Sequence, residues 1–261
     1  MNTPTQTSLS GLKALIVGVA NERSLAWAIA KTLADAGVKT AFTFQGETLE
    51  RRVRPLAESV GASLIESCDV SKDADIDGLL KKVAQTFGSL DILIHSVAFA
   101  QREDLEGQFL TTTREGFRVA LDISAYSLVA LSRAAFPLMK DRGGSVITLS
   151  YYGAQKVVPN YNVMGVAKAA LEACVRYLAQ DLGPSKIRVN AISAGPVKTL
   201  AAAGIRDFRT ILSAVEQKTP LKENISAEDV GHFAKFLCSP ESRHITGGTH
   251  YLDSGANIMG F

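Results

Sequence analysis

The feature that most limits how this chain can fold is an alternation, kept up along almost its whole length, of short unbroken apolar runs with longer amphipathic stretches. Ala14-Leu-Ile-Val-Gly-Val-Ala20 is the first such run. A strand with one wet face alternates polar and apolar side chains; a strand covered by helices on both faces need not, and this one does not. Ser24 then opens a stretch with Leu25, Ala28, Ile29 and Leu33 on one helical face, closed by Gly37, a residue suited to ending a helix. The pattern recurs as strands at 39–44, 63–67 and 91–95 with helices at 48–60 and 73–87 between them. Two helical stretches across 111–141, a strand at 145–150, a long helix over 161–182 and strands at 188–193 and 249–252 follow. Strand–helix–strand repetition makes successive strands parallel. The expected fold is an α/β, doubly wound, Rossmann-type parallel sheet of about seven strands, formed as a single domain over residues 1–261.

Composition supports that reading and removes others. With 46% hydrophobic and 21% charged residues the chain can bury a large core without staples. Lys and Arg number 28 against 26 Asp and Glu, a net charge of +2, and the basic residues are dispersed, which argues against nucleic acid as a partner. Cys68, Cys174 and Cys238 lack paired spacing, and His95, His232, His244 and His250 form no HExxH pattern, so no metal site is expected. The cysteines read as small buried hydrophobes in a reducing compartment. The apolar stretch from Leu12 to Ala20 carries Lys13 within it, ends at Asn21-Glu22-Arg23 and follows no cationic segment. No membrane association or signal peptide is expected, and the expected location is cytoplasmic.

Gly18 at the end of the first strand, with Ser24 and Leu25 opening the first helix, places a turn where backbone amides and the helix dipole can hold a pyrophosphate. A full GxGxxG is absent, since Val19, Ala20, Asn21 and Glu22 follow Gly18; taken alone, the turn fits ordinary α/β structure equally well. Two later strand ends favour a dinucleotide. Gln45 ends the second strand, where a side chain faces the adenosine ribose, and Asp69-Val70 follows the third. Asp69 either accepts from the adenine amine or caps the next helix; sequence leaves both open. A carboxylate at Gln45 would grip the ribose and an Arg would favour a 2′-phosphate. With Glu47 nearby and no Arg before Arg51, NADH is favoured over NADPH; Arg51, Arg52 and Arg54 read as a solvated helix face. Ser96-Val97-Ala98 after the fourth strand are small enough for backbone to pass close to a cofactor, although packing selects such residues too.

Tyr161 and Lys168 stand seven apart at the start of the long helix, so they are expected to share a face about 10.5 Å apart along its axis. An ammonium beside a phenol lowers the phenol pKa, and its remaining donors can hold the nicotinamide ribose. Tyr151 ends the strand before them. The segment 195–223, bounded by Pro196 and Pro220 and containing Ala201-Ala-Ala-Gly204, is the least regular stretch between two clear elements and is expected to form short helices that can reorder, a mobile substrate lid.

Over almost its whole length the chain resembles the short-chain dehydrogenase/reductase superfamily, and within it the bacterial enoyl-acyl carrier protein reductases. The resemblance rests on Gly18-x5-Ser24, Phe44-Gln45, Asp69-Val70, Leu149-Ser150-Tyr151, Pro159-Asn-Tyr-Asn-Val-Met-Gly-Val-Ala-Lys168 and Val189-Asn-Ala-Ile-Ser-Ala-Gly-Pro196. Most of the superfamily carries Tyr-x3-Lys; this chain has Tyr161-x6-Lys168 with Tyr151 near the position of the helper Ser, the pattern of the enoyl reductases. The resemblance implies hydride transfer from NADH to the β-carbon of a trans-2-enoyl thioester on acyl carrier protein. It implies Tyr161 as acid or oxyanion donor, Lys168 as ribose holder and Tyr151 as a pocket residue. It further implies that Ala194, Gly195, Val197 and Thr199 meet the nicotinamide end, and that Met164, Ala201 and Ile205 line the acyl pocket. Thr199 to Ile205 would cover that pocket, and a homotetramer is implied. Met164 reads equally as core filler. Arg206 and Arg209 suit either an acidic carrier protein or an ordinary charged helix surface. Ala98 stands where some relatives have Gly. The longer Tyr–Lys spacing shifts the phenol by about 4.5 Å along a helix, as expected if charge collects on the thioester oxygen and not on the carbon receiving hydride. The rival readings are a β-ketoacyl-type carbonyl reductase, which should carry Tyr-x3-Lys, and a catalytically silent dinucleotide-binding scaffold, which should have lost Tyr161 or Lys168.

Overall fold

Every apolar run becomes a strand of one sheet in the computed structural model, which describes residues 9–197, 199 and 208–260; the side chains of 208–211 and 214 lie outside that description. The strands are β1 (Lys13–Val17), β2 (Lys39–Phe44), β3 (Leu64–Ser67), β4 (Ile92–His95), β5 (Gly144–Ser150), β6 (Ile187–Ala194) and β7 (Thr249–Leu252). All pair in parallel, in the order β3-β2-β1-β4-β5-β6-β7. The helices are α1 (Leu25–Asp35), α2 (Gly46–Ser59), α3 (Asp73–Phe87), α4 (Arg114–Leu121), α5 (Ser127–Met139), α6 (Asn162–Leu182), α7 (Phe208–Lys218) and α8 (Ala227–Cys238).

The missing alternation in the first run now has its cause. Leu15 and Val17 point into an apolar core shared with α3, α5 and α6. Ala14 and Ile16 point into the opposite core, with Ala26, Ile29 and Leu33 of α1 and Val230 and Ala234 of α8. Both faces are dry, so period two persists in space while disappearing from the hydropathy pattern. Each fully buried Leu or Ile of this kind contributes about 1.5–3 kcal/mol of transfer free energy, enough to hold the strand order against competing registers.

The helical stretch over 111–141 forms one continuous run from Arg114 to Met139, interrupted by a wider π turn at Asp122–Tyr126. That run is long and apolar enough to cross a membrane, yet its apolar face, including Ala125, Leu128, Leu131 and Ala135, is buried in the core against the sheet. Ser124 in the π turn accepts from the Phe99 amide at 2.9 Å and donates to the Phe99 carbonyl at 3.1 Å. The extra residue thereby ties the loop after β4 to the helix.

The winding reverses between β1 and β4: the chain moves outward through β2 and β3, then returns to add β4 on the other side of β1. In an open parallel sheet the crevice beyond the carboxyl ends of the strands at such a reversal is the place for a ligand.

Candidate active site

On one side of that crevice the site is made of turns. Gly18 follows β1 with a φ of +109°, and a Cβ there would overlap the Ser96 carbonyl oxygen just past β4. Only glycine lets the two strand ends approach so closely. The Ser24 hydroxyl does not cap α1; it donates to the Asn21 carbonyl at 2.7 Å, while Asn21 Oδ1 accepts from the Arg23 amide at 3.0 Å. The turn is therefore closed on itself, and the amides of Leu25 and Ala26 in the first turn of α1 have no protein acceptor among the described residues. Two orphan amides at the positive end of a helix dipole suit a pyrophosphate. Gln45 stands exposed just before Gly46, which opens α2 with a φ of +73°.

Asp69 does not cap the next helix, contrary to one of its two readings: α3 begins at Asp73, and Lys72 holds the capping position. The Asp69 carboxylate instead closes a local turn, accepting from the Ser71 hydroxyl at 2.7 Å and the Ser71 amide at 3.1 Å, with Lys72 Nζ at 3.3 Å. Partial burial works against its charge, but these donors outweigh it and hold the carboxyl below its usual range. Val70 beside it packs on the core. Ser96 and Val97 are half-buried and Ala98 is exposed.

On the other side the site is made of buried side chains brought from distant elements. Lys168 is buried on α6, and its Nζ donates to the Leu149 carbonyl of β5 at 2.8 Å. Burial lowers its pKa to about 8, opposed by the charge of Glu172. His95, at the end of β4, is fully buried between the Thr148 and Ser127 hydroxyls, 2.8 Å from each. The Ser127 hydroxyl spends its proton on the Ile123 carbonyl at 2.6 Å, so His95 Nε2 must carry the ring proton and Nδ1 must accept from Thr148. Burial, then the Lys168 cation, lowers the His95 pKa to about 3. This neutral ring pins β4, β5 and α5 together.

Two expectations about Tyr161 need correction. It does not lie within α6: the helix starts at Asn162, and Tyr161 precedes it with φ −117° and ψ −25°, flanked by Asn160 at φ +60° and Asn162 at φ +30°. The simple helical rise therefore does not describe its separation from Lys168. Nor is its phenol acidified. Burial, then the neighbouring Tyr151, pushes the phenol pKa up. Lys168 is committed to Leu149, and no hydrogen bond joins it to Tyr161 among the described residues. Tyr161 is a neutral hydroxyl, a proton donor and not a phenolate.

What places the Tyr161 ring is a seat that sequence reasoning missed. Tyr151 meets it edge-on, with ring centroids 5.0 Å apart and planes at 70°. Beneath it lies Gly153, where a Cβ would stand 2.5 Å from Tyr161 Cδ1, and a Cβ on Gly165 of α6 would come 2.8 Å from the Gly153 carbonyl oxygen. A glycine inside a long helix costs about 1 kcal/mol relative to Ala. Gly165 was the one visible hint that something passes close to the helix.

Met164 is buried on α6 but joins neither apolar core. Ala194 is buried at the end of β6; the Gly195 amide donates to the Leu252 carbonyl at 2.8 Å, and Val197 and Thr199 are half-buried. Ala201, Ile205 and Arg206 lie outside the described residues, and of Arg209 only the backbone, in α7, is described. Among the described residues no group of three His, Cys, Asp or Glu is placed to hold a metal ion. The closed turn at Gly18, the orphan amides of α1 and the spare donors of Lys168 together fit a dinucleotide lying across the carboxyl ends of the strands.

Comparison with known proteins bears on that arrangement. A family model described as "Enoyl-(Acyl carrier protein) reductase" matches residues 18–257. The enoyl-acyl-carrier-protein reductase (NADH) of Aquifex aeolicus is 52% identical over 252 residues, covering 97% of this chain and 93% of that protein. The crystal structure of the Anaplasma phagocytophilum reductase in complex with NAD superposes with a TM-score of 0.92 at 46% identity, covering 100% of this chain and 97% of that one. The Bacillus cereus reductase with NADP+ and an indole naphthyridinone superposes with a TM-score of 0.95 at 48% identity, covering 97% and 99%.

Proposed function

The chain belongs to the enoyl-(acyl carrier protein) reductase family, and from that premise we propose that it reduces the carbon–carbon double bond of a trans-2-enoyl thioester carried on acyl carrier protein, using NADH. The observation that carries this reading is the placement of Tyr161: a partly buried hydroxyl, seated by Tyr151 and Gly153 near the carboxyl ends of the strands, where a dinucleotide fits. When bound, NADH supplies a hydride to the β-carbon. The chain's own part is to answer the charge that then collects on the thioester oxygen, and a neutral phenol does this by donating a hydrogen bond that strengthens as the charge develops. A phenolate could not. Lys168, fixed at one donor by Leu149, offers its other donors to the nicotinamide ribose. Tyr151 and Met164 line the substrate side, the Leu25 and Ala26 amides take the pyrophosphate, and Gln45 and Asp69 attend the adenosine.

Segment 195–223 acts as the cover over the acyl chain. The enzyme works in the cytoplasm, away from membranes and nucleic acid, as a homotetramer; the exposed rings of Phe117, Tyr126 and Tyr177 support association. Light scattering checks the assembly. The activity test follows NADH absorbance with a crotonyl and an acetoacetyl thioester, and repeats the first with NADPH. Consumption with crotonyl alone supports the reading; consumption with acetoacetyl alone would replace it with a carbonyl reductase, and cofactor binding without turnover would leave a silent scaffold.

A further inference from the structure

One turn of α6 beyond Lys168 lies Glu172, a buried carboxylate, 6% exposed, that no motif in the sequence singles out. A carboxylate is seldom taken out of water unless hydrogen bonds and opposite charge answer it. Residues four apart on a helix lie one above the other, and two consecutive residues of β5 hold this pair. The Leu149 carbonyl accepts from Lys168 Nζ at 2.8 Å, and the Ser150 hydroxyl donates to Glu172 Oε1 at 2.6 Å. The next residue along the chain is Tyr151, whose ring bears on Tyr161. The Lys168 stem, the Glu172 carboxylate and the tyrosine pair are thus referred to one short strand end.

We propose that Glu172 is a positioning residue for hydride transfer: its buried carboxylate, pinned by Ser150 one helical turn beyond Lys168, supports the charge on the ammonium whose spare donors hold the cofactor ribose. This rests on the function proposed above. An ammonium has three donors; one goes to Leu149, and the other two have no protein acceptor among the described residues. The titratable group that feels this cation is His95 from β4, kept neutral by burial and by the same charge; Tyr151 and Tyr161, at the end of β5 and before α6, are shifted by burial, and Tyr161 further by Tyr151. On the Glu172 side lie Tyr251 from β7, with Tyr152 and Asp253 beside it, and Arg176, which donates to the Glu172 carbonyl at 3.1 Å. Of all these only Glu172 strengthens the hold of Lys168 on its proton. Burial already brings that ammonium to about 8, and Glu172 supplies the charge that opposes the fall.

The experiment titrates NADH affinity by fluorescence against pH for the wild type, Glu172→Gln and Ser150→Ala, alongside kcat/KM for a crotonyl thioester. Wild-type affinity should weaken as pH rises past about 8. In Glu172→Gln, which keeps the shape and still accepts from Ser150, the midpoint should fall by roughly one pH unit. In Ser150→Ala, which leaves the charge but unpins it, it should fall by less. A folded Glu172→Gln protein with the wild-type pH profile overturns the proposal. Should that variant not fold, Ser150→Ala decides, and an unchanged profile there overturns it equally. Absence of enoyl reduction by the wild type would sink the proposed function instead, and the NADH titration would still be read.

Discussion

The two halves of the cleft are built on different principles. The adenosine half, at the ends of β1, β2 and β3, is assembled from short-range contacts at the surface: Ser24 to Asn21, Asn21 to Arg23, Ser71 to Asp69. The catalytic half, at the ends of β4, β5 and β6, is assembled from buried groups far apart in the chain: His95 with Thr148 and Ser127, Lys168 with Leu149, Ser150 with Glu172. Exposed polar contacts are exchangeable with water and contribute little each, whereas buried ones must all be made together because each orphaned partner is costly. A dinucleotide's pyrophosphate and adenosine tolerate a compliant grip. A reacting carbon does not, since small displacements from the productive geometry cost large factors in rate.

That contrast is open to being broken by substitution. Removing the Tyr161 hydroxyl in Tyr161→Phe should lower kcat by about 100-fold or more, the usual loss for an oxyanion donor, while NADH affinity from fluorescence titration stays within a few-fold. Equal losses in both would erase the distinction. Gly153→Ala, which leaves every functional group in place but pushes a methyl at the Tyr161 ring, should lower kcat by about tenfold or more, again without weakening NADH. Wild-type turnover in that variant would show that the seat does not matter.

The adenosine half should respond more softly. Asp69→Asn removes a charge from a local turn, and it is expected to weaken NADH by only a few-fold, about 1 kcal/mol, with kcat unchanged. Loss of turnover there would contradict the division.

The gentlest effect is on stability against acid. His95 is held neutral with its pKa lowered to about 3 from 6.5. The unfolded chain therefore takes up a proton at this residue that the folded one refuses, so the residue's contribution to stability declines as pH falls from about 6.5 towards about 3. A urea-denaturation series over that window should show a shallower pH slope in His95→Gln. An unchanged slope would mean that the ring is not shielded as described. For the same reason no ionisation of His95 should appear in the pH–rate profile near neutrality.

The same division explains what could be read in advance. Gly18, Ser24, Gln45 and Asp69 announce themselves because turns and helix starts are written in neighbouring residues; even so, Asp69 fits two roles on sequence alone, and Lys72 in the capping position removes one of them. Tyr161 and Lys168 could be named from their spacing, but their electrostatics could not. The spacing suggested an ammonium acidifying a phenol, and the fold instead commits the ammonium to Leu149 and leaves the phenol protonated. Gly153 and Glu172 carried no signal of their own.

The sequence by itself determined that this chain makes a parallel sheet wrapped by helices, with turns suited to a dinucleotide at the strand ends, because periodicity, turn residues and chain direction are properties of adjacent positions. Only the tertiary structure decided which of its polar groups lose their water, and with it which of them hold a charge and which a proton. Desolvation and charge pairing depend on side chains tens of residues apart meeting in space, and no local pattern records that meeting.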